Sequence, residues 1–104
     1  MAHLVYSVTI VPGTVTLRLS GELDMAITDD LVNVADKLDV SPGDRVQVDL
    51  AAVTFVDSMA LGALLPVSEQ RKDRGVRFAV VAMSHQVRGR VRLTGLAELL
   101  CIEA

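Results

Sequence analysis

Cysteine occurs once in this 104-residue sequence, as Cys101; tryptophan is absent, and aromatic residues make up 3% of the chain. A single cysteine closes no internal disulfide, and its expected place is as a small apolar filler near the C-terminus. No group of His, Cys and carboxylate residues has metal-ligand spacing, so neither a metal nor another cofactor is expected. Charge of one sign is also scarce. The formal net charge is −3, whereas phosphate backbones are held by a surplus of Lys and Arg, so nucleic acid is excluded as the main partner. No apolar run approaches the length of a membrane-spanning helix, and Met1 to Ser7 lacks the basic and apolar segments of a secretory leader. No direct membrane insertion and a cytoplasmic location are the expectations.

Catalytic signatures are missing as well. There is no glycine-rich loop of the dinucleotide or P-loop type. Ser58 lacks the flanking glycines of a nucleophile elbow, since Val56 and Ala60 occupy those places. The two histidines, His3 and His85, have no orienting carboxylate beside them. Arg88, Arg90 and Arg92, spaced by two, spread around a helix as a solvated surface and do not line one face. A non-enzymatic protein is expected.

What is present is 51% apolar residues, drawn mostly from Val, Leu, Ile and Ala. Such a core suits a sheet covered by helices. The length fits one domain spanning 1–104. Leu4 to Val11, the turn Pro12-Gly13-Thr14 and the alternation of Val15, Leu17 and Leu19 predict an N-terminal β-hairpin, with Gly21 closing its second strand. Leu31, Val34, Ala35 and Leu38 share one helix face, with Thr28 or Asp24 as the cap and Asp29 and Asp30 in the first turn if Thr28 caps. Ser41 to Asp44 ends that helix.

Arg45 to Leu50 alternates as a strand, and Ala51 to Phe55 reads as a short link. Val56-Asp57-Ser58 then opens a second helix, in which Pro66 predicts a bend near Gly62 and not two separate helices. Arg71, Lys72 and Arg74 complement its C-terminal dipole, and Gly75 stops it. Val76 to Ala82 predicts a strand buried on both faces. Ser84 caps a third helix that Gly95 ends, and Leu99 to Ile102 reads as a last strand or a tail. The order implies an α/β fold: a mixed β-sheet, begun by a hairpin and continued by β-α units, with helices packed on it.

One segment carries most of the functional information. It runs from Val48 to Leu64, a strand feeding a loop that ends in Asp57-Ser58 at a helix start, followed by Leu61-Gly62. Upstream stands Gly21-Glu22-Leu23-Asp24, and downstream Gly95-Leu96. With these motifs the whole chain resembles the STAS domain of bacterial anti-sigma factor antagonists. Met59 and Ala60 depart from the family pattern, which has Ser or Thr and then Gly at those places.

The resemblance implies a protein that binds an anti-sigma factor, itself a serine kinase, and thereby frees a sigma factor. It implies phosphorylation at Ser58 that breaks the complex, and a serine phosphatase that restores it. The implied contact surface comprises Asp24, Met25, Asp57, Ser58 and Met59, with Leu23 and Leu61 in the core. A serine at the helix N-cap would hold its phosphate near free backbone N–H groups. The phosphate would bring nearly two negative charges beside Asp57 and, if the two loops meet, beside Asp24. The alternative keeps the fold and changes the role: a non-phosphorylated STAS scaffold, or a subunit of a membrane transport or signalling assembly.

Overall fold

Strand β1 (Val5–Val11) turns at Pro12-Gly13, where Gly13 has a φ of 79°, into β2 (Thr14–Leu23). They pair antiparallel from Val5↔Ser20 to Val11↔Thr14, as the hairpin signal predicts. The computed structural model describes residues 4–95; His3, Leu96 and the expectations for Leu99 to Ile102 and Cys101 lie outside them.

After β2 come a short 3-10 turn (Met25–Ile27) and helix α1 (Thr28–Asp36). Strand β3 (Arg45–Val56), helices α2 (Ser58–Gly62) and α3 (Leu64–Asp73), strand β4 (Arg77–Met83) and helix α4 (His85–Thr94) follow. The sheet order is β1-β2-β3-β4, with β3 parallel to both β2 and β4. This is the expected α/β architecture, a mixed sheet with helices packed on it.

The core follows from alternation. Leu17 and Leu19 of β2, Val46, Val48 and Leu50 of β3, and Phe78 and Val80 of β4 turn to one face. There they meet Leu31 and Ala35 of α1, Leu61 and Leu64 at the α2–α3 junction, and Val87 and Val91 of α4. Val34 and Leu38 pack partly buried against this cluster, so the predicted α1 face is the one used.

Several sequence expectations are corrected. β3 does not end at Leu50 but runs on through the predicted link to Val56. Its register against β2 slips twice, between Arg18 and Ser20 and between Gly21 and Glu22 of the partner strand. Each slip adds one residue to β3, so the buried positions move from Val46, Val48 and Leu50 to Val53 and Val56. A bulge breaks the period-two alternation by which a strand is recognised. Likewise Gly21 does not close β2: it sits at a bulge with a φ of 82°, a conformation glycine adopts without strain, and pairing resumes to Leu23.

The second helix is two helices separated by Ala63. Pro66 has no N–H to donate to the Gly62 carbonyl, so the ladder is interrupted there. The proline instead falls in the first turn of α3, where a missing N–H costs little. At α1, Asp24 caps the preceding 3-10 turn by accepting from the Ala26 N–H at 2.9 Å. Thr28 lies inside the helix, its hydroxyl buried and without a hydrogen-bond partner among the described residues.

Arg71 is not a solvated cation. It is 3% exposed, and its guanidinium donates to the Ala35 carbonyl at the C-terminal end of α1. Burial pulls its pKa below the ordinary arginine value, Arg74 adds to that, and Asp36 opposes it. The cation thus adds a charged donor to a carbonyl in the last turn of α1 that also accepts from the Leu38 N–H. Arg71→Ala is expected to lower stability by about 2–3 kcal/mol in urea denaturation, and Arg71→Met by roughly half that, because its unbranched chain keeps part of the packing. Equal losses from both would mean that the hydrogen bond alone matters.

Candidate functional site

The C-terminal ends of β2 and β3 lie side by side, with Leu23 opposite Val56. The chain leaves each strand through an aspartate, Asp24 and Asp57, in extended backbone suited to capping. The Asp57 N–H donates to the Leu23 carbonyl at 3.1 Å, which carries the pairing one residue past the strands.

The Asp57 carboxylate does two things. One oxygen, Oδ1, accepts from the Ala60 N–H at 2.8 Å and caps α2. The other, Oδ2, accepts from the Met25 N–H at 3.0 Å. One side chain therefore fastens the loop after β2 to the start of α2, and the two loops meet. Asp24 turns its own carboxylate to the Ala26 N–H.

Ser58 is the first residue of α2, not its N-cap, which corrects the sequence expectation. Asp57 takes the capping role because its carboxylate already holds the N–H that a serine cap would seek. The Ser58 side chain is exposed, and among the described residues no hydrogen bond engages its hydroxyl. A phosphoryl group there would not enter a vacant cap. It would stand next to the Asp57 carboxylate that joins the two loops.

Large apolar side chains surround this clasp. Met25 is 67% exposed and Met59 62%, and both belong to the sequence-predicted contact set. Phe55, 43% exposed, is a residue that sequence reasoning missed. It sits just after the second slip of β3, opposite Glu22. The signal available was an aromatic two positions before Asp57 in a chain with only two phenylalanines. Leu23 and Leu61 are buried, as expected. Asp24 and Met25 stand at the turn after β2, and Asp57, Ser58 and Met59 at the cap and first turn of α2, so all five predicted residues lie at the joined ends of β2 and β3.

The arrangement offers a small surface of flexible apolar side chains around carboxylates and an exposed hydroxyl, a composition suited to protein contact. Among the described residues no three His, Cys, Asp or Glu side chains cluster to hold a metal ion. No helix among them is long and apolar enough to cross a membrane.

A family model described as "Mlab, STAS domain" matches residues 6–101. Among solved structures the chain is similar to an anti-sigma factor antagonist from Mycobacterium paratuberculosis. Identity is 28%, the match covers 96% of this chain and 85% of that one, and the TM-score is 0.74. The Bacillus anti-sigma factor antagonist SpoIIAA in its unphosphorylated form has the same fold, at 20% identity over 96% of this chain and 89% of its own, with a TM-score of 0.73. So does a sulfate transporter family protein from Wolinella succinogenes, at 20% identity over 90% of this chain and 79% of its own, with a TM-score of 0.73.

Proposed function

The chain belongs to the STAS-domain family, and from that premise we propose that it is an anti-sigma factor antagonist switched at Ser58. Antagonists of this kind are binding proteins and not enzymes. In this reading the unmodified face around Asp57 binds an anti-sigma factor that is a serine kinase. The bound kinase releases its sigma factor and phosphorylates Ser58, and a serine phosphatase returns the chain to the binding form.

The observation that carries the reading is the double role of Asp57. Its carboxylate joins the turn that bears Met25 to the helix start that bears Ser58 and Met59, with the serine hydroxyl exposed beside it. A phosphoryl group on Ser58 adds nearly two negative charges next to that carboxylate. A partner fitted to an apolar surface that carries only the Asp24 and Asp57 carboxylates then meets a dense anion. Repulsion and desolvation supply a coupling of about 1–3 kcal/mol, a 5- to 150-fold loss of affinity, without any change of fold. The 28% identity to the mycobacterial antagonist over nearly the whole chain supports the same reading.

A second reading is favoured by two residues. Met59 and Ala60 stand where the resembled antagonists have Ser or Thr and then Gly. Ala60 is buried in the first turn of α2, and Met59, 62% exposed next to Ser58, presents an apolar side chain in place of a hydroxyl, which suits a permanent contact in a transport or signalling assembly. A competition assay separates the two. Titrated into purified complexes of the host's sigma factors with their kinase-like anti-sigma factors, the unmodified chain is expected to bind one kinase and release its sigma factor. Binding to a transporter ATPase subunit, with every sigma complex intact, would select the second reading.

A further inference from the structure

Strand β1 is an edge strand, and among the described residues β2 is its only neighbour. All seven of its residues are exposed, and none is charged, proline or glycine. Edge strands are normally blunted by a charge, a proline or a bulge. β1 carries none of these, and its register against β2 is continuous from Val5 to Val11.

The uncovered side has a definite pattern. Tyr6, Val8 and Ile10 are paired with Leu19, Leu17 and Val15, and so lie on the sheet face that the helices cover. They remain 48%, 39% and 66% exposed, because α1 stops short of the edge. Two grooves of about 260 and 300 Å³ run between this row and α1. Asp30, Asn33 and Val34 of α1 and its C-cap Lys37 line them, one stripe at spacings of three, four and seven. Asp30 lines only the groove at the Tyr6 end, whereas Lys37 lines both and is joined by Asp39 in the groove that reaches Ile10.

Both walls are self-complementary under a two-fold rotation. An axis through the edge at Val8 sets two β1 strands antiparallel, with Tyr6 opposite Ile10 of the second copy. The same rotation runs α1 antiparallel to its copy, which brings Asp30 of one toward Lys37 of the other, twice. A symmetric interface requires one patch to fit itself in this way.

We propose that this face binds a second copy of the chain: the two β1 edges pair antiparallel into one continuous sheet, and the Asp30–Lys37 contacts close the groove from above. The surface shares no residue with the Asp57 clasp, so each copy keeps its Ser58 exposed.

Sedimentation velocity of the full chain over a concentration series tests this, with circular dichroism to confirm that each variant is folded. Wild type is expected to form a dimer. Val8→Lys places a charge on the edge and is expected to weaken dimerisation at least tenfold. Asp30→Lys and Lys37→Asp, both at exposed positions, each turn two attractions into repulsions and are expected to weaken it about five- to tenfold. The double reversal is expected to return to within about twofold of wild type. A wild-type chain that stays monomeric at millimolar concentration, a dimer insensitive to Val8→Lys, or a double reversal no better than the single ones would overturn the proposal.

Discussion

Ser58→Glu is expected to weaken binding to the anti-sigma factor by about 10- to 100-fold, whereas Ser58→Ala binds like wild type. Both variants should fold. Ser58 is exposed and its hydroxyl makes no hydrogen bond among the described residues, so removing it costs about 0.5 kcal/mol or less. A carboxylate in the first turn of a helix is favoured by the dipole, which offsets part of its repulsion from Asp57. Stability and affinity are therefore expected to part company. Titration calorimetry reports a large loss for Ser58→Glu, and urea denaturation reports almost none. If Ser58→Glu lowered both in step, its effect would be unfolding and not a switch.

Asp57→Ala carries the second large effect, and here stability and binding fall together. The substitution removes the cap of α2 and the anchor of the Met25 N–H at once. An N-cap is worth about 1 kcal/mol and a further hydrogen bond to a charged acceptor about as much again where it is exposed, so a loss of about 2 kcal/mol is expected. Asp57→Asn separates the two roles. Asparagine caps as well as aspartate but has only one acceptor oxygen, so it keeps α2 and releases the loop after β2. Its expected cost is about 1 kcal/mol in urea, with affinity reduced about as much as in Asp57→Ala. Full binding by Asp57→Asn would mean that the joined loops are not the contact surface.

How far the site was readable from the sequence depended on whether local pattern or tertiary geometry decided each residue. The N-terminal hairpin, the face of α1 and the Ser84 and Gly95 ends of α4 rest on alternation, helical spacing and caps, and the structure keeps them. So does the placing of Asp57 and Ser58 at a helix start. The continuation of β3 was hidden because its two slips against β2 shift the buried positions from every second residue to every third. That same concealment put Phe55 in a link and hid its exposure beside the site. Arg71 looked like an ordinary cation at a helix end, since nothing local says that the end of α1 lies within its reach. The second bond of the Asp57 carboxylate was equally out of view. It joins residues 32 positions apart, and only the parallel pairing of β2 with β3 brings them together.

The most direct test of the account is the intact mass of the chain purified from the cells that make it, sampled across growth and stress conditions, with peptide mapping around Ser58. The account predicts a fraction heavier by one phosphoryl group, located at Ser58 and changing with condition. A pool wholly unmodified at Ser58 under every condition would contradict the switch and leave Met59 and Ala60 as the residues that make this face a permanent contact.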